Sequence, residues 1–147
     1  MNVLAFPAPV QSEIVTFEIE GDPVAFARAR SNGARRFTPP KQRHFMQIVR
    51  DAAIRAKGKN SIWIDRPIAM ELTAVFAYPE SWPMKRKHPH YKISKPDVDN
   101  CGKIVADACN GILFKDDAKI AVMSCSKVYG PTGKLVVSFH PIMGQLP

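Results

Sequence analysis

The chain has 147 residues, enough for one domain that buries a real core without a disulfide or a structural metal. Apolar residues make up 46%, which argues against disorder, and 13 prolines ask for many turns and stiff connections. Lys and Arg outnumber Asp and Glu by 21 to 13, a net charge of +8 that points to a polyanion partner.

The charge is unevenly spread. Residues 21–60 carry +8 and residues 81–96 carry +5, while residues 97–147 balance five Asp against five Lys. Clustered cations of this kind are the electrostatic footprint of nucleic acid; the plainer alternative is a solvated basic surface. No apolar run approaches the roughly 18 residues of a membrane helix. Met1 to Val10 lacks a basic start and is broken by Pro7 and Pro9, so it does not read as a signal peptide. Cys101, Cys109 and Cys125 include no Cys-x-x-Cys pair, which speaks against a disulfide framework or zinc site. The expectation is a soluble cytoplasmic domain spanning 1–147, with its core in about 14–140, that associates with no membrane.

In chain order, Ile14 to Glu20 alternates Val15, Phe17 and Ile19 with polar residues and reads as a half-exposed strand. Asp22 to Pro40 has no period and carries Arg28, Arg30, Arg35 and Arg36, as a basic loop or ribbon would. Thr38-Pro39-Pro40 reads as a helix start, with the hydroxyl as cap and proline at the first helical position. Phe45, Ile48, Val49, Ala52 and Ala56 then form one apolar stripe ending near Gly58, with Lys41, Arg43, Arg50 and Arg55 on the other face. Ile68 to Phe76 is the second strand. Residues 79–96, broken by proline and carrying Lys85-Arg86-Lys87, read as a loop.

The richest stretch is Lys95 to Ile120. Asp97 and Asp99 are two residues apart, so in extended chain their carboxylates share a side. Asp99 or Asn100 can cap a helix to about Asn110, with Gly111 as its stop. Its buried stripe is Cys101, Ile104, Val105, Ala108 and Ile112; Asp99, Lys103 and Asp107 fall on the polar side. Asp116-Asp117 then precedes a strand to about Val128, a Gly-Pro turn follows, and Leu135 to His140 is the last strand. These elements predict an α+β two-layer sandwich, a mixed sheet of about four strands with two main helices on one face.

Two acidic pairs, one before a helix and one before a strand, can meet if the helix packs on the sheet. Gathered carboxylates repel unless a cation joins them, and Mg²⁺ takes oxygen ligands of this kind. Such a site can stabilise the attacking and leaving oxygens of a phosphodiester cleavage, with Lys103 one turn after Asp99 to contact the scissile phosphate. On their own the residues leave a second reading open, in which Asp99 caps, Lys103 pairs with an acid at i,i+4, and Asp116-Asp117 is a polar turn. His88 and His90 lack cysteine partners at zinc spacing, and Ser94 and Ser126 have no evident base, so neither zinc nor serine chemistry is expected. Trp63 and Trp82 read as packing residues; Trp82, beside the basic run, can also stack on an unpaired base.

The sequence resembles the RusA-type Holliday-junction resolvases, small endodeoxyribonucleases common in phages and prophages. The resemblance rests on Lys95-Pro96-Asp97-Val98-Asp99-Asn100, Lys103, Asp107-Ala108, Asn110-Gly111 and Asp116-Asp117. It extends to Lys127-Val128-Tyr129 and to Gly21-Asp22-Pro23-Val24 with its trailing arginines. It implies a homodimeric enzyme of the bacterial or phage-infected cell that nicks four-way DNA junctions symmetrically, using Mg²⁺ (or Mn²⁺ in its place) and no nucleotide cofactor. Carried over residue by residue, Asp97, Asp99 and Asp117 bind metal, Asp116 is a neighbouring candidate, and Lys103 is the essential lysine. Arg28, Arg30, Arg35, Arg36, Lys85, Arg86 and Lys87 are the expected DNA contacts. The chain departs from the family pattern after Pro23, where Phe26 stands for a lysine and Arg28-Ala29-Arg30 for Arg-Pro-Arg. The alternatives are a metal nuclease for flaps or other branched DNA, and a non-catalytic DNA-binding protein with structural aspartates.

Overall fold

The computed structural model describes residues 13–27, 30–32 and 35–143. Its main sheet contains β1 (Val15–Glu20), β4 (Ile68–Ala77), β5 (His90–Tyr91), β6 (Ile120–Gly130) and β7 (Lys134–Pro141) in the order β1-β7-β4-β6-β5. β2 (Arg30–Asn32) and β3 (Arg35–Phe37) form a separate antiparallel ribbon. The helices are α1 (Pro40–Lys57) and α2 (Val98–Ala108). The fold is α+β with a mixed sheet, as expected, but with five strands where about four were anticipated. The addition is β5, a two-residue edge strand inside the segment read as a loop. Met84–Arg86 of that segment forms a 3-10 turn.

Alternation in the strands decides which face is covered. Val15, Phe17 and Ile19 of β1 join Leu135, Val137 and Phe139 of β7 and Met70, Leu72 and Ala74 of β4 in one core. The opposite face carries Thr16, Glu18, Ser138 and Glu71, a polar surface that needs no second layer. β7 runs antiparallel to β1 and β4, whereas β4 and β6 are parallel. A parallel pair needs a long crossover, and α2 lies within it. α1 packs on β1 and α2 on β6, with the two helices against each other.

α1 begins with Pro40 as its first residue, but Pro39 stands at the cap and no side chain caps the helix, so Thr38 does not play that part. Its buried line is Gln42, Phe45, Val49, Ala52 and Ala53, with Ala56 half-buried; Ile48, placed in the stripe by spacing, is 37% exposed. Arg50 is not a free surface cation. Its Nη1 donates to the Ala108 and Asn110 carbonyls at 2.9 and 3.3 Å, satisfying acceptors that α2 leaves open at its end.

α2 starts two to three residues earlier than spacing suggested. Asp97 occupies the cap position without a capping hydrogen bond, so Asp99 and Asn100 lie inside the first turn. All five residues of the expected stripe are buried. Gly102 also has a role the sequence hid. A Cβ there would come within 2.8 Å of Cys125 Sγ and 2.9 Å of Met123 Sδ, so glycine lets α2 lie close on β6. Beyond the helix, Gly111 adopts φ +76° and its N–H donates to the Phe114 carbonyl at 2.8 Å. That turn buries Phe114 against Phe139 and returns the chain toward β6.

Candidate active site

The site is laid out along α2. Asp99, Lys103 and Asp107 recur at intervals of four, and Lys103 Nζ lies 3.7 Å from Asp107 Oδ2. The Lys103 ammonium also sits 4.9 Å from the Phe26 ring centre, in cation–π range. Phe26, the departure from the family pattern, thus packs beside Lys103, and its backbone N–H donates to the Asn100 carbonyl at 2.9 Å.

At the N-terminal end of α2, Asp97 accepts a hydrogen bond from Lys95 Nζ at 2.9 Å. That hydrogen bond, with the charges of Lys95 and then Lys127, holds the Asp97 carboxyl below its ordinary range, and the same hydrogen bond with the Asp97 charge raises the Lys95 ammonium. Lys127 of β6 anchors the approach to Asp97 by donating to the Ser94 and Pro96 carbonyls at 2.8 and 2.6 Å.

At the C-terminal end, Asp116 Oδ1 accepts from the Ala118 N–H at 2.8 Å, closing the 3-10 turn Asp117–Lys119. This hydrogen bond, together with Asp117, lowers the Asp116 titration. Asp117 moves the other way. Burial comes first among the causes, followed by hydrogen bonds shared with Asp107 and Asp116 and by their charges.

The acids therefore stand in two groups along α2. Asp97 and Asp99 lie at the start of α2; Asp107, Asp116 and Asp117 lie at its end. Eight residues of helix separate Asp99 from Asp107, about 12 Å along the axis at 1.5 Å per residue. Among the described residues no three His, Cys, Asp or Glu side chains converge to hold a metal ion. The single chain does not bring Asp97 and Asp99 to Asp117. Asp107, which the sequence placed only on the polar side of the helix, is an acid whose hydrogen bonding and charge help raise Asp117, after burial. Its spacing from Lys103 was visible, but its approach to Asp117 across the turn was not. The donors are carboxylate oxygens, which suit Mg²⁺ or Mn²⁺ and not a thiolate- or imidazole-seeking ion.

The sequence model described as Endodeoxyribonuclease RusA matches residues 20–139, which include both acidic groups and Lys103. The chain belongs to the RusA endodeoxyribonuclease family. An uncharacterised protein, YqaN of Bacillus subtilis strain 168, is 29% identical over 141 residues, covering 88% of this chain and 98% of that protein. A RusA-family chain is an enzyme that hydrolyses DNA, which weighs against the reading of a non-catalytic binding protein.

The expected DNA contacts of this RusA-family chain divide by how far they are described. Arg28 lies outside the described residues; Arg30, Arg35 and Arg36 fall on the β2–β3 ribbon by backbone alone. Lys85 and Arg86 are exposed and Lys87 is half-buried on the 3-10 turn. Arg86 stacks 3.7 Å from the Trp82 ring centre, and Trp82 packs edge-on against Tyr129 and stacks with His90. Trp82 is therefore the foot of the basic turn. Trp63 is half-buried beside the core and donates its backbone N–H to Leu113. No helix among the described residues is long and apolar enough to cross a membrane.

Proposed function

We infer that the protein is a divalent-metal-dependent endonuclease that resolves four-way DNA junctions by paired nicks, working as a homodimer. Family membership supplies the endonuclease; the observation that carries the finer reading is the line of carboxylates along α2 with Lys103 among them, flanked by basic segments. Asp97, Asp99 and Asp117 are the metal ligands in this reading, with Asp116 beside Asp117 as a fourth candidate. A bound Mg²⁺ supplies Lewis acidity at the phosphoryl oxygen and an activated water. Lys103 places a compact positive charge where negative charge grows on the scissile phosphate, and Asp107 holds that ammonium on the helix flank. Clusters at residues 21–60 and 81–96 hold the junction arms through their phosphates.

The split between the acids gives the dimer a reason. Among the described residues, β6 pairs with β5 only at Val128 and Tyr129, so the outer edge of Ile120–Ser126 has no partner strand. That edge carries no charged side chain to deter pairing. Two such edges joined antiparallel about a two-fold axis bring the Asp117 end of one β6 to the Asp97–Asp99 end of the other. Charge favours the match, since Lys95 stands at the end that would face the partner's Asp116 and Asp117. One active site then draws acids from both copies.

The decisive experiment compares a synthetic four-way junction with a flap and a linear duplex of the same sequence, with and without Mg²⁺. Paired nicks on the junction that require the ion support the reading. Preferential cutting of the flap transfers the enzyme to other branched DNA, and cutting in chelator removes the metal.

A further inference from the structure

Outside the acidic line, two lysines converge on one serine. Lys92 Nζ donates to Ser94 Oγ at 2.7 Å and to the Tyr129 hydroxyl at 3.0 Å. Lys127 Nζ donates to the carbonyl of the same serine and to that of Pro96. Both lysines are half-buried, and among the described residues neither ammonium lies within ion-pair distance of a carboxylate. Asp97, the acid that feels Lys127, is already held by Lys95.

The donor inventory is lopsided. An ammonium has three N–H donors and no acceptor, and two are used on each lysine. The oxygens of Ser94 and Tyr129 already accept from Lys92, so their O–H groups must point elsewhere. At most one can serve the other, across 3.5 Å. At least three donors are therefore left over at one spot, next to two like charges that partial burial brings together. Such an arrangement is completed by an anion with several oxygens. The Tyr129 hydroxyl is itself pulled below its ordinary titration range, by hydrogen bonds from Ser94 and Lys92 first, which fits an electropositive seat.

We propose that Lys92, Lys127, Ser94 and Tyr129 form a phosphate seat for the DNA backbone, set beside the loop that delivers Asp97. It takes a phosphodiester flanking the one that is cut, and so fixes which bond reaches the acids. The seat is distinct from the Lys85-Arg86-Lys87 turn, where Lys85 and Arg86 are exposed, because both of its cations are half-buried and hydrogen-bonded to one serine before any DNA arrives. That preorganisation makes it a register device and not a general attractor. Phe76 and Tyr129 support the Lys92 ammonium at 5.3 and 4.9 Å from their ring centres, so its position does not depend on the ligand.

The proposal rests on the endonuclease reading above, and its test separates the two. Junctions carrying one uncharged methylphosphonate at successive positions around the nick are bound and cut by the full chain, wild type and Lys92→Met. At one flanking position the wild type is expected to lose about tenfold in binding, the worth of one charge-assisted hydrogen bond. At that position alone, Lys92→Met loses nothing further, because the partner charge is already gone. Its salt slope also falls by about one. Tyr129→Phe repeats the pattern with a smaller loss and covers the case in which Lys92→Met folds poorly. If both variants suffer the same added penalty as wild type at every position, the seat does not exist, although the enzyme still cuts. If wild type does not cut junctions at all, the functional reading fails first.

Discussion

Lys103 has three neighbours with different consequences. Its ammonium is paired with Asp107, stacked near Phe26, and one helical turn from Asp99. A purely structural lysine in this place contributes little, since a half-exposed i,i+4 pair is worth about 0.3–0.5 kcal/mol. A lysine that meets the scissile phosphate contributes far more to the rate. Lys103→Met is therefore expected to cut single-turnover nicking about 10²-fold or more, with junction affinity and melting temperature near wild type. Lys103→Arg should rescue poorly, because a planar fork does not replace a point charge. Normal nicking by Lys103→Met at saturating enzyme would reduce the residue to an ion pair. Asp117 yields a second expectation at this scale. Its carboxyl titrates above the ordinary range, so the neutral form is favoured by folding. The stability it contributes is present below the ordinary carboxylate value, about 4, and is lost as pH rises through its folded titration. In chelator, Asp117→Asn should thus melt higher than wild type at pH 7, and the gap should close on acidification. Melting curves of the two proteins from pH 3.5 to 7 read this directly; parallel curves would mean that Asp117 is neither desolvated nor crowded by Asp107 and Asp116.

Elements with a strong internal period were plain in the sequence, and those made by distant partners were not. The stripe Cys101, Ile104, Val105, Ala108 and Ile112 repeats at helical spacing, so the buried side of α2 could be read before any fold was known. β5 has two residues in a proline-broken basic segment, and it is a strand only because β6 lies beside it. Arg50 looked like one more surface cation because its acceptors at the end of α2 lie 58 and 60 residues away. In the same way the acids were legible as residue types, while their division between the two ends of α2 depends on where the turn after Gly111 returns the chain. Gly102 shows the converse case, a residue whose cost is local and whose reason is tertiary. In an exposed helix, Gly→Ala gains about 1 kcal/mol. Here the new methyl meets Cys125 and Met123, and overpacking of this kind costs about 1–3 kcal/mol. Gly102→Ala should therefore leave stability unchanged or lower it, as denaturant unfolding would show. In a Cys125→Ala, Met123→Ala background the gain should return. A plain gain in the wild-type background would mean that α2 does not lie close on β6.

At the scale of the whole molecule, positive charge surrounds a negative line. A net of +8 arises from two basic segments, whereas the acids of the last third are confined to the α2 region. Neutralising Lys85, Arg86 and Lys87 together should flatten the salt dependence of junction binding by about one slope unit for each phosphate left without its cation. Folding should be little affected, because exposed charges contribute about 0–1 kcal/mol each. An unchanged slope would mean that the turn faces solvent in the complex. The larger claim is that acids at opposite ends of α2 serve one chemistry because two copies of the chain meet along β6. The most direct measurement mixes two inactive proteins, one with Asp97→Asn and Asp99→Asn, the other with Asp117→Asn, and isolates the mixed dimer through two different tags. If each site is built from both copies, that dimer has one intact set of acids and recovers Mg²⁺-dependent nicking of one junction strand. If the isolated mixed dimer is as inactive as its parents, each active site belongs to a single chain and the shared site is wrong.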